Sequence, residues 1–423
     1  MDAIAGNDEP LDAITASRHP GAMTSIVLIG AGPAGLIAAE HLAGLGHSVT
    51  VFDRMASPAR KFLFAGRGGL NLTHSEPHEA FLARYGAAAG RLAPLLAAFP
   101  AEALRSWAEG LGEPTFIGSS GRVFPKSFKA TPLLRAWLRR LDRLGVSFRF
   151  GMRWTGWDET GALIFETDAG RQKVHADAVL LALGGASWPR LGSDGGWVPL
   201  LAARGIAVTP LAASNVGVRI DWRAPFIERF HGAPLKGCAF RLGDGTSRAE
   251  AVITRDGMEG GAVYALSAPL RAALAKGSAE LAIDLKPDLS EAALSQRLAR
   301  ARTSETLSNI LRKNASLPLI AIGLLREATG GPLPREATSL ARRIKDVRLP
   351  VAGPGGLARS ISTAGGIAWE AVDEAQMLTA LPGTFVAGEM LDVDAPTGGY
   401  LLQAAFSTGM AAARGMAAWL QRA

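Results

Sequence analysis

The sequence predicts an α/β fold in which a parallel sheet with flanking helices is interrupted by a large inserted region. Two observations predict the sheet, because a strand–turn–helix pattern stands near each end of the 423 residues. A third observation predicts the insertion. Between residues 191 and 354 the sequence changes to short strand-like runs and to Ala-, Leu- and Arg-rich segments. The length agrees with two or three domains, since 423 residues exceed what one hydrophobic core usually holds.

The first pattern is a glycine-rich turn. The apolar run Ile26–Ile29 predicts a buried strand, and the residues after it read Gly30-x-Gly32-x-x-Gly35. Gly30 allows a sharp turn, Gly32 lets the backbone approach a pyrophosphate, and Gly35 lets a helix pack against the sheet. The order of strand, turn and helix predicts a dinucleotide-binding site, whereas the glycines alone would suit any tight strand–helix turn.

The helix and strand that follow this turn support the same site. The helix is expected from Pro33 to Leu45, and its positive N-terminal end would face the phosphates. The next strand ends at Asp53, about 20 residues after the turn. A carboxylate at that position can accept hydrogen bonds from a ribose hydroxyl.

Composition narrows the class of protein. Hydrophobic residues make up 48% and charged residues 20% of the chain, which is typical of a globular protein. The net charge of +7 fits either general solubility or an anionic partner such as RNA or an acidic substrate. The single cysteine, Cys238, allows no disulfide within the chain and no Cys-x-x-Cys redox pair.

The same observations predict a cytoplasmic protein. One cysteine fits a reducing compartment. Residues 1–23 lack the basic start and apolar centre of a secretion signal, and we expect them to form a loose tail. No uninterrupted apolar run reaches the ~20 residues that a membrane helix needs, so we expect no membrane contact.

A second glycine-rich loop, Arg60–His74, follows the predicted ribose-binding acid. Its glycines would expose backbone N–H groups, while Lys61 and Arg67 offer positive charge to phosphates. An ordinary surface loop is the alternative, although such loops seldom combine glycines, cations and apolar residues so densely. Beyond it, 88–111 and 131–144 are expected to be helical, and 145–157 to form a strand with its hairpin partner.

The inserted region has two textures. Short strand-like runs separated by turns predict a β-rich insert over 191–265 and 336–354, with a hairpin at Asp244–Gly245. Ala-, Leu- and Arg-rich sequence predicts a small helical subdomain over 266–335, with Ser290 as a helix cap. The inserted region also contains many cations, and by default we interpret them as a solvated face. They are Arg297, Arg300, Arg302, Arg312, Lys313, Arg342, Arg343 and Lys345.

The second strand–turn–helix pattern stands near the C-terminus. A strand over 381–389 ends in Gly388-Glu389, and a helix is expected from Leu401, after Thr397–Tyr400. A helix N-terminus placed beneath a flavin ring stabilises the negative charge that reduction builds on the ring. Glu389 can bind a ribityl hydroxyl. The alternative of an ordinary buried strand and helix explains neither the paired glycines nor the acid, so the two turns together predict an FAD site.

Several motifs resemble one known family. In chain order they are Gly30-x-Gly32-x-x-Gly35, Arg60-Lys61, the Gly66–Asn71 loop, Gly121–Pro125, Ala182–Gly185 with Ser187-x-Pro189, Thr363–Gly366, Gly388–Asp392 and Thr397–Gln403. On these residues the chain resembles the BaiN/RdsA-type (YhiN-like) bacterial flavoproteins over 24–420. The resemblance implies a glutathione-reductase-like, FAD-binding Rossmann domain over 24–190 and 355–423, interrupted by the β-rich insert and the helical subdomain.

Three departures mark the chain as a divergent member. The family commonly has Gly-Gly-Gly-Arg-Cys-Asn where this chain has Gly66-Arg67-Gly68-Gly69-Leu70-Asn71. Leu401 replaces the usual Asn after Gly-Gly-Tyr, and Glu259-Gly260-Gly261 replaces a Ser-Gly-Pro turn. We expect FAD binding to survive these changes. The substrate is not carried over from the family.

The resemblance also implies the cofactor contacts. The residues expected to bind FAD are Gly30, Gly32, Pro33, Ala34 and Gly35 at the pyrophosphate, Asp53 and Arg54 on the adenosine side, Lys61, Gly66, Arg67, Gly68 and Asn71 on the phosphate and flavin side, the Trp154 backbone at the adenine, Gly184, and Gly388, Glu389, Gly399, Tyr400 and Leu401 at the ribityl and pyrimidine end. Core packing is an equal alternative for the Tyr400 side chain.

The expected chemistry is hydride transfer through flavin N5 by an FAD-dependent oxidoreductase. No catalytic side chain and no metal-ligand spacing stands out in the sequence. No second Gly-x-Gly-x-x-Gly follows a strand, so we expect no dedicated NAD(P)H-binding domain. Transient binding of NAD(P)H as an electron donor remains an alternative. Three functions remain open: reduction of uridine to dihydrouridine in ribosomal RNA, which the resemblance suggests; small-molecule amine oxidation or enone reduction; and flavin binding without catalysis.

Overall fold

A computed structural model describes residues 24–422. The expected tail, 1–23, lies outside the described residues. The described chain forms two compact units, the first built from 24–212 and 363–422 and the second from Ala213–Ser362. The sequence division at residues 190 and 355, with a separate helical part, stays a prediction about domains. The chain leaves the first compact unit after Ala212 and returns to it at Thr363.

The strands and helices are as follows. The strands are β1 Ser25–Ile29, β2 Ser48–Asp53, β3 Thr73–His74, β4 Thr115–Ile117, β5 Arg122–Pro125, β6 Ser147–Phe150, β7 Arg153–Trp157, β8 Leu163–Thr167, β9 Gly170–Val174, β10 Ala178–Leu181, β11 Val208–Ser214, β12 Val218–Arg219, β13 Pro234–Leu235, β14 Ala239–Leu242, β15 Gly245–Ser247, β16 Ala251–Thr254, β17 Gly257–Glu259, β18 Ala279–Asp284, β19 Val347–Val351, β20 Gly353–Pro354, β21 Ser362–Ile367 and β22 Thr384–Val386. The α-helices are α1 Pro33–Gly44, α2 Arg60–Ala65, α3 His78–Ala83, α4 Ala89–Ala98, α5 Ala101–Gly110, α6 Ala130–Arg143, α7 Val198–Ala202, α8 Ala224–Phe230, α9 Gly261–Tyr264, α10 Ser267–Ala275, α11 Glu291–Leu298, α12 Leu307–Lys313, α13 Leu319–Thr329, α14 Ala337–Lys345 and α15 Tyr400–Leu420.

A parallel sheet of order β22-β10-β1-β2-β6 forms the centre of the first unit. Its middle strand β1 is apolar and almost wholly buried, as expected for a strand covered on both faces. Ile29 pairs with Leu181 on one side and Phe52 on the other. Because all five strands are parallel, the turns that follow β1, β2, β10 and β22 lie at one edge, where open α/β sheets bind ligands.

Helices α1 and α15 pack closely on each other beside this sheet. A Cβ atom built at Gly409 of α15 would lie 2.4 Å from the carbonyl oxygen of Ala34 in α1. One at Gly388, after β22, would lie 3.0 Å from the Ala34 Cβ atom. Small residues therefore bring the first turn of α1 next to the turn after β22. Although α15 is long, none of the described helices is long and apolar enough to cross a membrane.

The second unit contains two antiparallel sheets and several helices. One sheet has the order β13-β16-β17-β12-β20, and the other has the order β15-β14-β18-β19. Phe240 and Leu281 are fully buried in its core, and Cys238 lies in the same core. Burial raises the pKa of the Cys238 thiol to about 11, in agreement with the role of a small apolar residue.

Several local expectations were wrong in detail. β6 joins the parallel sheet, while β7 pairs with β8 in a separate sheet, so 145–157 is not one hairpin. The segment 88–111 forms two helices, α4 and α5, because Phe99–Pro100 ends the first of them. Strand β18 interrupts the segment expected to be helical. The hairpin at Asp244–Gly245 is confirmed. It joins β14 to β15, with Leu242 paired to Gly245.

The close contact between α1 and α15 predicts that a larger residue at position 409 destabilises the protein. Gly409→Ala places a methyl group against the Ala34 carbonyl, and we expect the free energy of unfolding to fall by about 1–3 kcal/mol. Gly90→Ala in α4 is the matched control, because its Cβ would meet no atom within 4 Å. Urea unfolding followed by circular dichroism compares the two variants. Equal stability of both would contradict the close packing described here.

Candidate cofactor site

The glycine turn after β1 leaves an open space in front of α1. Gly30 has φ +110°, and a Cβ atom there would lie 2.2 Å from the Ala182 carbonyl oxygen. At Gly35 a Cβ atom would lie 2.0 Å from the Gly30 carbonyl oxygen. At Gly32, by contrast, it would meet nothing within 4 Å, and the backbone has an ordinary φ of −84°. Packing explains Gly30 and Gly35, whereas Gly32 faces space that a ligand could fill.

Both long helices at the sheet edge begin without a side-chain cap. Gly32 is the N-cap of α1 and Gly399 is the N-cap of α15, and neither supplies a capping hydrogen bond. The first N–H groups of a helix need partners from outside it, and they attract negative charge. A Cβ atom at Gly399 would lie 2.6 Å from the Thr73 Cα atom, so this N-terminus is held tightly against β3. Two uncapped helix ends fit a ligand with a pyrophosphate at one end and a reducible ring at the other.

Asp53 stands at the end of β2, beside the first turn. Its carboxylate accepts hydrogen bonds from the backbone N–H groups of Ala31 and Met55, each at 2.8 Å. Burial raises the pKa of Asp53 above its usual range, and these two N–H groups oppose the rise. The carboxylate is therefore fixed in place, and its remaining lone pairs can accept ribose hydroxyls. Its neighbour Arg54 pairs instead with Asp194.

Lys61, expected on the phosphate and flavin side of the cofactor, and Glu389, expected at its ribityl and pyrimidine end, form an ion pair. The Lys61 Nζ atom lies 2.6 Å and 2.8 Å from the two Glu389 carboxylate oxygens. It also donates to the Ser187 hydroxyl at 2.5 Å. The backbone N–H groups of Gly185 and Thr363 donate to the same carboxylate at 3.2 Å and 3.1 Å. Residues of α2 and β21 and the loops after β10 and β22 thus meet at one carboxylate.

Helix α2 forms the first part of the predicted Arg60–His74 loop, and the Gly66–Asn71 loop that follows it is held from one side. A Cβ atom at Gly66 would lie 2.5 Å from the Ala130 Cβ atom, while one at Gly68 would meet nothing within 4 Å. The Arg67 guanidinium lies 4.8 Å from the centre of the Phe64 ring. The Asn71 Nδ2 atom donates to the carbonyl oxygens of Thr73 and Val123, so the amide nitrogen fixes the loop. The expected cofactor contacts of these residues stay predictions.

The side chain of Tyr400 packs in the core. Its hydroxyl donates to Glu76 at 2.6 Å, and its ring is 5.0 Å from that of Phe81. The Tyr85 hydroxyl donates to the Tyr400 carbonyl oxygen at 2.8 Å. A hydrogen bond from Arg84, followed by that from Tyr400, lowers the pKa of Glu76. The ring therefore anchors the start of α15, which leaves the backbone N–H group as its expected cofactor contact.

Trp154 lies outside the main sheet. It is buried on β7, where its ring makes an edge-on contact with Trp157 at 4.9 Å. The Met152 N–H donates to the Asp53 carbonyl oxygen at 3.0 Å, which brings the start of β7 beside the predicted ribose site. The Trp154 Nε1 atom has no hydrogen-bond partner in the described part of the chain. Leu401 is half-buried in the first turn of α15.

Three residues at this edge were not predicted as site residues. Ser187 and Thr363 lie within motifs quoted for the family, but the sequence offers no sign that both would contact the Lys61–Glu389 pair. Asp194 stands between Ser193 and Gly195, and only the folded chain brings it to Arg54. Across 24–422, no group of three or more His, Cys, Asp or Glu side chains could hold a metal ion.

Known proteins resemble this chain over almost its whole length. The family described as HI0933-like protein Rossmann domain matches residues 24–415. The 3-dehydro-bile acid delta(4,6)-reductase of Clostridium scindens is 25% identical, over 93% of this chain and 99% of that protein. The ribosomal RNA dihydrouridine synthase of Escherichia coli is 24% identical, over 93% and 98%.

Two solved structures share the fold. The 3-ketosteroid delta1-dehydrogenase of Sterolibacterium denitrificans matches with a TM-score of 0.53 and 14% identity, over 94% of this chain and 99% of that one. An open flavocytochrome c3 fumarate reductase matches with a TM-score of 0.52 and 15% identity, over 95% and 79%. The predicted α/β fold class, with its FAD-binding Rossmann domain, is confirmed. Since these relatives are enzymes, flavin binding without catalysis is not retained. The chain belongs to the HI0933-like Rossmann family and is an oxidoreductase with FAD as its cofactor.

Proposed function

We propose that FAD lies along the edge of the parallel sheet, from the first glycine turn to the start of α15. The open space at Gly32 and the two uncapped helix ends support this placement. Bound reduced flavin supplies a hydride to a substrate. The N–H groups at the start of α1 would hold the pyrophosphate, Asp53 the ribose, and the N–H groups of Tyr400 and Leu401 the pyrimidine end.

The reaction we infer is reduction of a carbon–carbon double bond conjugated to a carbonyl group. Both curated relatives have names that imply such a bond, in a 3-oxo steroid and in the uracil ring. A hydride adds to the carbon β to the carbonyl, and a proton then adds to the α carbon. Between these two additions the carbonyl oxygen carries the negative charge. NAD(P)H is the proposed donor that reduces the flavin for the next turnover.

The substrate we propose is a uracil in ribosomal RNA, and the charge of the second unit is the observation that carries this choice. Residues 213–362 contain 22 Lys and Arg against 14 Asp and Glu, whereas the rest of the chain contains 23 against 24. The entire positive excess therefore lies on the inserted unit. Affinity for nucleic acid begins with neutralisation of phosphates by such a surface.

Part of this charge is unpaired. Of the eight cations noted in the sequence, Lys313, Arg342 and Lys345 form ion pairs with acidic side chains. Within 24–422 no acidic side chain pairs with the other five, which are Arg297, Arg300, Arg302, Arg312 and Arg343, and all five are exposed. Unpaired surface arginines are available to phosphates. A ribosomal substrate also implies a cytoplasmic enzyme.

A small enone is the competing substrate, and one experiment separates the two. The reduced enzyme is mixed anaerobically with unmodified ribosomal RNA or with a cyclic enone, and flavin reoxidation is followed by absorbance. We expect reoxidation by RNA together with a gain of two hydrogens in a uridine, detected by mass spectrometry. Rapid reoxidation by the enone and none by RNA would contradict the RNA proposal.

The placement of the pyrophosphate predicts the effect of one methyl group. Gly32→Ala introduces no clash and no backbone strain, so the protein should fold normally. We expect FAD affinity to fall by about tenfold or more, because the methyl group fills the space meant for phosphate. Gly44→Ala at the other end of α1 is the control, since its Cβ also faces open space. Titration of the apoprotein with FAD measures both variants, and unchanged affinity of Gly32→Ala would count against this placement.

The charge of the second unit predicts a salt dependence. We expect Arg297→Gln with Arg300→Gln to weaken RNA binding and to reduce the slope of log K against log salt concentration by about 1 for each lost phosphate contact. Arg348→Gln is the control, because Arg348 is also exposed but is neutralised by Glu280 and Asp346. Fluorescence anisotropy at several salt concentrations gives the slopes. The same slope in all three proteins would show that this surface does not bind phosphates.

A further inference from the structure

Three phenylalanines form a stack at the surface of the first unit. Phe116 and Phe124 face each other across β4 and β5, with ring centres 5.8 Å apart. The ring of Phe128 lies 4.9 Å from that of Phe124 and 6.2 Å from that of Phe116. The interplanar angles are between 23° and 29°. Phe116 is 36% exposed and Phe128 is 44% exposed, so two of the three rings present surface to solvent.

Phe128 is held in an unfavourable backbone conformation. Its φ is +60°, a region that bulky side chains rarely adopt. Its ring lies against the backbone of Gly69, where a Cβ atom would come within 2.3 Å of the ring. Strain of this kind persists only where the surrounding structure fixes the residue, and it is common at binding sites and active sites. Because 44% of Phe128 remains exposed, packing of the ring in the core does not account for this conformation.

The stack adjoins the loop proposed to line the cofactor. Gly69 belongs to the Gly66–Asn71 loop, and the Leu70 N–H donates to the Phe128 carbonyl oxygen at 3.2 Å. At the other end of this loop, the ring of Phe64 lies 4.2 Å from that of Trp188, another bulky residue with positive φ. Aromatic side chains in strained positions thus flank both ends of one loop beside the proposed flavin site.

Two exposed lysines lie close to Phe128 in the sequence. Lys126 and Lys129 stand on either side of Phe128 in the sequence, and both are exposed. In the part of the chain that the structure describes, neither forms an ion pair with an acidic side chain. An apolar platform for a protein partner does not need cations at its rim. Flat rings next to free lysines are the combination by which proteins bind single-stranded nucleic acid, with bases on the rings and phosphates on the lysines.

We propose that the phenylalanine stack, Phe116, Phe124 and Phe128, binds an unpaired RNA base close to the uracil that is reduced. This inference rests on the proposed function. It adds a way to hold the RNA, since a uracil within a stacked strand must be unstacked before it can meet the flavin. A neighbouring base that stacks on Phe116 and Phe128 keeps the strand open, and Lys126 and Lys129 contact the flanking phosphates.

The test uses a labelled single-stranded RNA oligonucleotide and the same oligonucleotide with one abasic position. Phe116→Ala should weaken binding of the intact RNA by roughly 5- to 150-fold, the range expected for one lost base–aromatic contact. It should have a much smaller effect on binding of the abasic RNA, because the stacking partner is already absent. Phe116→Trp should retain the affinity of the wild-type protein, and the salt slope should stay the same in all variants.

Ile117→Ala is the matched control. Ile117 is 48% exposed and next to Phe116 on β4, but its side chain points to the opposite face of the strand. Normal FAD content and an unchanged unfolding midpoint show that each variant is folded. Equal binding of intact RNA by Phe116→Ala and wild type would overturn the stack as a base platform while leaving RNA reduction standing. Absence of RNA binding by the wild-type protein would overturn both proposals.

Discussion

The close contact between α1 and α15 is the constraint on which the proposed cofactor site depends. Helix α15 can approach the first turn of α1 only because Gly409 carries no side chain against the Ala34 carbonyl. Gly388 allows the same approach from the turn after β22. The parallel order of the strands then brings both helix N-termini to one edge of the sheet. Segments from opposite ends of the chain thereby meet at the edge along which we propose that FAD lies.

The ion pair of Lys61 and Glu389 completes this edge. A half-buried carboxylate is costly unless charge and hydrogen bonds compensate it, and here a lysine and two backbone N–H groups do so. The pair fixes α2, which precedes the glycine-rich loop, relative to the turn after β22. Gly69 of this loop in turn contacts the ring of Phe128. Cofactor site and phenylalanine stack therefore share one supporting framework.

Local patterns could be predicted from the sequence, whereas contacts between distant residues could not. The glycine turn after β1, the position of Asp53 at the end of β2 and the turn before α15 agree with the sequence because each depends on neighbouring residues. Lys61 and Glu389 were assigned separate roles, since 328 positions separate them and no periodicity links them. Strand β18 was missed within Ala- and Leu-rich sequence, although its alternation of buried and exposed residues follows the period of a strand. The hydroxyl partner of Tyr400, Glu76, depends on a fold that local sequence does not encode.

A structure of the protein with FAD bound would test the proposed position of the cofactor. We predict that the pyrophosphate lies within hydrogen-bond distance of the N–H groups at the start of α1, with Gly32 beside it and no side chain between. We also predict that the pyrimidine end of the flavin lies at the N–H groups of Tyr400 and Leu401. FAD bound away from this sheet edge, or with its flavin at Gly32 and its adenine at Tyr400, would contradict the proposed position.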